Sequence, residues 1–205
     1  MTMPTVTDKE AIWLACKRKT CCHTAVVIPT GRDVWRVART LDIPPWSFLV
    51  VFPSPTPRRD AFLLDQSGRQ FRLAFAKRAT RHTKTPPPCI FLLRTRQGHH
   101  RCGLGDLRPL VCKTFPCAVT DGVLSVQDGA DCTCRDWSLT DVDIEEERTL
   151  IAERQADSEE YCAIVARWNA QVSAAPPDVA FDFPTYCDHI LAVYDALAPS
   201  GETAE

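Results

Sequence analysis

Eleven cysteines constrain this 205-residue chain more than any other feature, because nine of them fall between residues 16 and 134. These nine stand beside turn-forming or helix-breaking residues rather than inside long regular segments. Loops allow several thiolates to converge on one point, which is what a metal site requires. An odd number of cysteines also cannot pair completely into disulfides within one chain. The pattern therefore favours a metal site over a disulfide scaffold.

The rest of the composition indicates a reducing compartment. The chain has no run of about 18 apolar residues, so no membrane span is expected. Asp8, Lys9 and Glu10 occupy the region where a signal peptide would have its apolar stretch. We therefore expect a cytoplasmic protein whose thiols are kept reduced. A chain of this length with 45% hydrophobic residues can bury one good core.

Charge is divided unevenly along the chain. Residues 1–115 carry 20 of the 24 basic residues but only 7 of the 26 acidic ones. The remainder of the chain is strongly acidic, and the net charge is only -2. A basic half can attract nucleic acid or an acidic partner. With so little net charge to produce a long-range field, we instead expect the acidic part to fold back on the basic part and neutralise it.

In the N-terminal half, local patterns predict short elements. A helix is expected over residues 8–16, and a short buried strand over residues 25–28. Thr30 and Asp33 have the spacing of a helix cap, and Pro44 should end the helix that follows them. The apolar runs on either side of the Gln-Ser-Gly sequence at 66–68 are typical of a β-hairpin.

The second half begins with more hairpins and ends in helices. We expect Cys89 and Cys102 to lie near each other on paired strands, and a hairpin to turn at Asp121-Gly122. Apolar residues at helical spacing then predict two amphipathic helices near the C-terminus. The predicted fold is α+β, a small irregular cysteine-rich domain of short strands and turns around a metal centre over residues 1–140. An acidic helical extension over residues 141–205 is predicted to pack on it.

Thiolate-rich sites with few imidazoles favour an iron–sulfur cluster or zinc over magnesium, calcium or copper(II). A C-x2-C pair, the usual mark of a zinc ribbon, does not occur. Cysteines at positions 162 and 187 lie on or beside apolar helical stripes, where a thiol packs as a small hydrophobe. Basic side chains adjacent to the other cysteines can stabilise thiolates. The candidate metal ligands are Cys16, Cys21, Cys22, Cys89, Cys102, Cys112, Cys117, Cys132 and Cys134.

Four segments in order, C-x4-CC at 16–22, CIFLL at 89–93, RCGLGDLRPLVCKTFPC at 101–117 and DCTC at 131–134, resemble the YkgJ-type cysteine-cluster family. That family is described as a zinc- or iron-chelating domain and is related to the flagellin lysine N-methylases. The resemblance covers roughly residues 12–137. It implies that Cys16, Cys21, Cys22, Cys89, Cys102, Cys112, Cys117 and either Cys132 or Cys134 are ligands. The first segment has three cysteines where the family commonly has four, and either Cys134 or His23 could supply the missing ligand.

The resemblance makes metal binding, as an iron–sulfur protein of the [4Fe–4S] kind or a zinc protein, the leading hypothesis. One alternative is an enzyme similar to an S-adenosylmethionine-dependent protein lysine N-methyltransferase, because the related methylases are thought to combine such a cluster with this cofactor. A second alternative is a structural zinc adaptor for an acidic protein or for nucleic acid. We expect an unidentified protein partner or substrate, and neither a membrane nor nucleic acid. The pattern identifies no catalytic residue, since the glycines at 103 and 105 lack the spacing of a dinucleotide-binding loop.

Overall fold

A computed structural model of the chain describes residues 9–16, 19–79, 86–96, 98, 100–127, 136–176 and 179–198. The helices are α1 (Lys9–Ala15), α2 (Thr20–Thr24), α3 (Gly31–Leu41), α4 (Leu110–Lys113), α5 (Ile144–Ala174) and α6 (Phe183–Leu197). The strands are β1 (Leu49–Pro53), β2 (Phe62–Leu63), β3 (Gln70–Phe75), β4 (Leu92–Arg94), β5 (His100–Cys102), β6 (Cys117–Thr120) and β7 (Val123–Val126). All strand pairs are antiparallel. The predicted α+β class, with small antiparallel sheets and C-terminal helices, is confirmed.

The chain divides into two compact units. Unit 1 comprises Met1–Val26 and Lys77–Arg154, and unit 2 comprises Val27–Ala76 and Gln155–Glu205. These units are defined by contacts within the chain and not by independent folding. The predicted domain boundary after residue 140 therefore stays a prediction.

Unit 2 contains the three-stranded sheet in the order β1-β3-β2. Strand β3 lies in the middle, pairing along its length with β1 and at its start with β2. The ring of Phe62 on β2 stacks on Tyr186 of α6 with 3.8 Å between centroids. Tyr186 in turn donates to or accepts from the hydroxyl of Tyr161 at 2.9 Å. Aromatic side chains bury large apolar areas, and these contacts pack β2 against α6 and α6 against α5.

Helix α3 begins where its sequence predicts. The Thr30 side chain accepts a hydrogen bond from the Asp33 amide, and the Asp33 carboxylate accepts one from the Thr30 amide. These reciprocal bonds satisfy two backbone donors that a helix N-terminus otherwise leaves unpaired. The next residue must be small, because a Cβ on Gly31 would lie 2.6 Å from a ring carbon of Tyr194.

The two predicted C-terminal helices are α5 and α6, and their apolar faces are buried as expected. The buried members of these faces are Tyr161, Ile164, Val165, Trp168, Val172, Tyr186, Cys187, Ile190, Leu191 and Tyr194. Cys187 is fully buried among them, which confirms the prediction that its thiol packs as a hydrophobic group. Among the helices of the described residues, none is long and apolar enough to cross a bilayer.

Ion pairs join the basic first half of the chain to its acidic last third. Within unit 2, Arg32 pairs with Asp157 at 3.0 Å and with Glu160 at 2.9 Å. Arg39 of α3 pairs with Asp195 of α6. Within unit 1, Lys9 pairs with Glu147. The expectation that the acidic part neutralises basic residues is met by these pairs.

The described residues of unit 1 include two hairpins. Strands β6 and β7 are joined by Asp121 and Gly122, whose φ angles of 51° and 77° put both residues in the left-handed region that a tight type I′ turn requires. Buried side chains of β6 and β7 pack against residues that precede or belong to α5. This apolar cluster comprises Cys117, Leu124, Val142 and Ile151. Strands β4 and β5 form the other hairpin, with Leu92 opposite Cys102.

The predicted strand at residues 25–28 is wrong. Ala25 has an extended backbone, but residues 25–28 pair with no strand in the described part of the chain, and the Val27 carbonyl accepts a hydrogen bond from the Phe75 amide of β3. Val26 is 61% exposed, so the run is not buried throughout. A run of β-branched residues forms a strand only where a neighbouring strand offers a free edge, and that condition cannot be read locally.

Candidate metal centre

The adjacent cysteines of the first segment lie on a single-turn helix. Cys21 and Cys22 belong to α2, and their sulfur atoms are 4.0 Å apart. The residue before α2, Lys19, has a left-handed backbone with φ 48° and is fully buried. Its amide donates a hydrogen bond to the Cys16 sulfur at 3.3 Å. The reversal at Lys19 therefore turns the chain so that Cys16 lies close to the start of α2.

Lys19 is held by Trp13 of α1. The Lys19 ammonium donates to the Trp13 carbonyl and lies 3.9 Å from the centre of the indole ring. The guanidinium of Arg108 lies over the same ring at 5.3 Å. Two cations are thereby positioned on one aromatic side chain beside the cysteines. Trp13 is thus a residue of the site that the cysteine pattern does not reveal.

Five of the nine predicted ligands interact electrostatically, and hydrogen bonding and strand pairing hold Cys89 beside Cys22 and close to Cys102. The Cys22 thiol is near enough to those of Cys21, Cys89 and Cys112 for their charges to interact, and the Cys102 thiol interacts likewise with Cys89. Cys21 and Cys22 belong to α2, Cys102 ends β5, and Cys112 lies in α4. Cys89 precedes β4 and forms an isolated antiparallel bridge with Lys77. We call this group the thiol cluster, comprising Cys21, Cys22, Cys89, Cys102 and Cys112. The prediction that Cys89 lies near Cys102 is confirmed, although Cys89 itself precedes β4.

Backbone contacts hold α2 against the segment that carries Cys89. The Cys89 amide donates to the Cys22 carbonyl at 2.8 Å. The ammonium of Lys77 donates to the carbonyl oxygens of Cys22, His23 and Ala25 at 3.2, 3.3 and 2.7 Å. Lys77 therefore supplies a hydrogen-bond donor to carbonyls at the end of α2, where a helix runs out of backbone donors. The sequence contains no signal for this role, because Lys77 is 52 or more residues from its acceptors.

The two adjacent thiols affect each other's pKa in opposite directions. A hydrogen bond from the Cys22 thiol lowers the pKa of Cys21 to about 6, with further help from Trp13 and from the charge of Lys19, while burial opposes the shift. The same contact, together with burial, raises the pKa of Cys22. The two thiols therefore titrate as a coupled pair, and the first proton leaves this pair more readily than it leaves an isolated cysteine.

Burial also raises the pKa of the Cys89 and Cys102 thiols. Cations partly offset that effect: Lys77 and Arg78 act on Cys89, and Arg108 acts on Cys102. Thiolates are the form of cysteine that binds metals, so each of these cations favours the state a ligand needs. The sequence-based expectation that neighbouring basic residues stabilise thiolates is met for Arg108 and Lys19.

The remaining predicted ligands are placed differently. Cys117 is 1% exposed in the apolar cluster of unit 1, and its thiol lies against the Glu147 carboxylate, which helps raise its pKa. Cys16 is disulfide-bonded, so a ligand role for its sulfur requires reduction of that bond. Cys132 and Cys134 lie outside the described residues.

His23, which follows the first pair of cysteines, makes a contact outside the thiol cluster. A ring nitrogen of His23 is 2.9 Å from the Pro86 carbonyl oxygen, so one of its two nitrogens is already engaged. In the part of the chain that the structure describes, no three His, Cys, Asp or Glu side chains lie in the geometry of a metal site. Within the described residues the thiol cluster therefore lacks the geometry of a metal site, and its cysteines are connected by electrostatic interactions. No family model matches the chain, and no curated protein or solved structure matches it significantly.

Proposed function

We propose that this chain is a metal-binding protein whose thiol cluster holds an iron–sulfur cluster, with zinc as the alternative occupant. The observation that carries the proposal is that hydrogen bonds and strand pairing bring Cys21 and Cys22 close to Cys89, and Cys89 close to Cys102, although these cysteines come from separate segments of the chain. Five free thiols brought together by tertiary contacts have no comparable role in packing a core, where the cysteines at 117 and 187 already serve. The YkgJ-type resemblance supports the same proposal.

The donor set fits such a group. Iron–sulfur clusters and structural zinc are each held by four cysteine thiolates, and both prefer soft sulfur ligands. Cys22 and its three neighbours Cys21, Cys89 and Cys112 supply that number, with Cys102 as a fifth donor. When bound, an iron–sulfur cluster supplies electron transfer, whereas zinc supplies rigidity or Lewis acidity.

The surrounding side chains stabilise thiolates in a buried environment. The contact with Cys22 lowers the pKa of Cys21 to about 6, which favours the thiolate form that a ligand needs. Lys19, Lys77 and Arg108 carry positive charge beside the sulfurs and reduce the repulsion between them. A cytoplasmic location belongs to this proposal, because a reducing compartment keeps the thiols free for ligation.

Metal analysis with a visible absorption spectrum, on protein purified without oxygen, tests the proposal. Iron with acid-labile sulfide and a broad band near roughly 400 nm is expected for a thiolate-bound cluster. A colourless protein with stoichiometric zinc would select the alternative metal. It would also favour the adaptor over a methyltransferase-like enzyme.

Cysteine variants then assign the ligands. We expect Cys21→Ser and Cys112→Ser to lose metal and stability together, whereas Cys187→Ser should keep the metal and cost only packing. Cys117→Ser is a matched control inside unit 1, because this thiol is buried but lies apart from the thiol cluster. Equal metal content in all four variants would defeat the proposal, and so would the absence of any metal from the anaerobic protein.

A further inference from the structure

Helix α4, which carries Cys112 of the thiol cluster, is a single turn of four residues. A helix this short gains too few internal hydrogen bonds to be stable by itself, so contacts from the rest of the chain must fix its position. Its C-cap residue, Thr114, is fully buried. The amide and the hydroxyl of Thr114 both donate to the Leu110 carbonyl, at 2.8 and 2.9 Å. Thr114 therefore joins the two ends of the turn that presents Cys112.

Arg154 of α5 binds this cap residue from outside α4. Its Nη1 atom donates a hydrogen bond to the Thr114 hydroxyl oxygen at 2.9 Å, from 40 residues further along the chain. The Thr114 hydroxyl thus accepts from Arg154 and donates to Leu110, so one atom links the guanidinium to the first carbonyl of α4. Contact with α5 therefore fixes the turn that carries Cys112.

A second polar contact reaches α4 from the same face of α5. The Lys9 ammonium donates to the carbonyl oxygen of Lys113, the last residue of α4, and pairs with the Glu147 carboxylate of α5. Glu147 and Arg154 lie about two helical turns apart and so share one face of α5. Two separate contacts therefore hold the end of α4, just after Cys112 in the chain, against one face of α5.

The charge of Arg154 is not explained by an acidic partner. Its side chain is half-buried, and in the part of the chain that the structure describes it forms no ion pair. Burial lowers the pKa of its guanidinium, and no charge of the described chain opposes that shift. An apolar side chain of similar size is often as stabilising as a buried charge, or more so. The hydrogen bond to Thr114 therefore accounts for Arg154 better than a gain in overall stability does.

We propose that Arg154 is a positioning residue that, through Thr114, fixes the direction of Cys112 within the thiol cluster. The inference rests on the proposed metal-binding function and adds to it a residue that binds no metal itself. Side chains that orient metal ligands typically contribute about 10- to 100-fold to metal affinity. Because Arg154 acts through the backbone of α4 and not on the sulfur itself, we expect its removal to weaken binding about tenfold.

Titration of the reduced, metal-free full-length protein with cobalt(II) tests the inference, with thiolate–cobalt absorption as the readout. The affinity for cobalt should fall about tenfold in Arg154→Met, and at least as much in Thr114→Val, which also loses the bond to Leu110. Adding Arg154→Met to Thr114→Val should cause little further loss, since both changes remove one shared hydrogen bond. Thr114→Ser keeps the hydroxyl and should restore most of the affinity.

The control is Arg148→Met, which removes an exposed cation of α5 that forms no ion pair with a described residue. Its cobalt affinity should match that of the wild type. Urea unfolding of the metal-free proteins separates positioning from stability. Arg154→Met should keep the wild-type midpoint, because removal of a half-buried unpaired cation offsets the lost hydrogen bond.

Three results would overturn the positioning role while the wild type still binds cobalt. They are an unchanged affinity in Arg154→Met, an equal loss in Arg148→Met, and a urea midpoint that falls together with the affinity. A wild type that binds no cobalt would instead remove the metal-binding function on which the inference rests.

Discussion

Replacing Lys77 by methionine removes an ammonium group that donates to three backbone carbonyls at the end of α2. The shortest of these bonds, to Ala25 at 2.7 Å, is a full charged hydrogen bond, and those to Cys22 and His23 are longer. Hydrogen bonds to charged groups contribute about 1.5–3 kcal/mol each. The two longer bonds contribute less than the shortest one, and the three contributions are not fully additive. We therefore expect Lys77→Met to lower the local free energy of unfolding around α2 by about 2–3 kcal/mol.

Amide hydrogen exchange measures this local loss. Two amides report on it: that of Ala25, which donates to Cys21, and that of Cys89, which donates to Cys22. A loss of 2–3 kcal/mol predicts exchange about 30- to 150-fold faster at both. Arg101→Met is the matched control, since it removes an unpaired cation from the same unit and should change neither rate. Acceleration below about threefold in Lys77→Met would refute the view that this lysine holds α2 in place.

Two further predictions concern unit 2. In Gly31→Ala the new methyl group would lie 2.6 and 2.7 Å from ring carbons of Tyr194 and Tyr161. Overpacking of this kind should cost about 1–3 kcal/mol of stability, and an unchanged urea midpoint would contradict the packing described for α3. Asp195→Asn should cost about 1 kcal/mol or less, because the carboxylate that binds Arg39 is 43% exposed. The hydrogen bond from Arg39 holds the pKa of Asp195 below its usual range. Urea unfolding at several pH values should therefore show the full difference in stability between the wild type and Asp195→Asn above the usual Asp pKa. The difference should disappear as pH falls through the lowered pKa, and a difference that grows with acid would oppose the argument.

Local sequence signals predicted much of the regular structure. The cap at Thr30, the turn at Asp121-Gly122 and the apolar stripe of α6 each depend on residues within one or two turns of each other. Such signals act through backbone dihedrals and helical periodicity, which neighbouring residues determine. The prediction of a strand at residues 25–28 failed because a strand needs a free edge to pair with, and segments remote in sequence determine whether one is available.

At the candidate site, too, residue type is readable from the sequence whereas the contacts between distant segments are not. Cysteine number and spacing by themselves indicated a metal-binding chemistry and a set of nine candidate sulfurs. Only the tertiary structure separates Cys112, which lies in the thiol cluster, from Cys117, which lies five residues away in an apolar core. The intervening turn after α4 directs the two side chains to different surroundings. Lys77 likewise reaches α2 only through the antiparallel bridge to Cys89. Residue type determines which atoms can bind a metal, whereas long-range packing decides which of those atoms meet, because side-chain direction follows from contacts between distant segments.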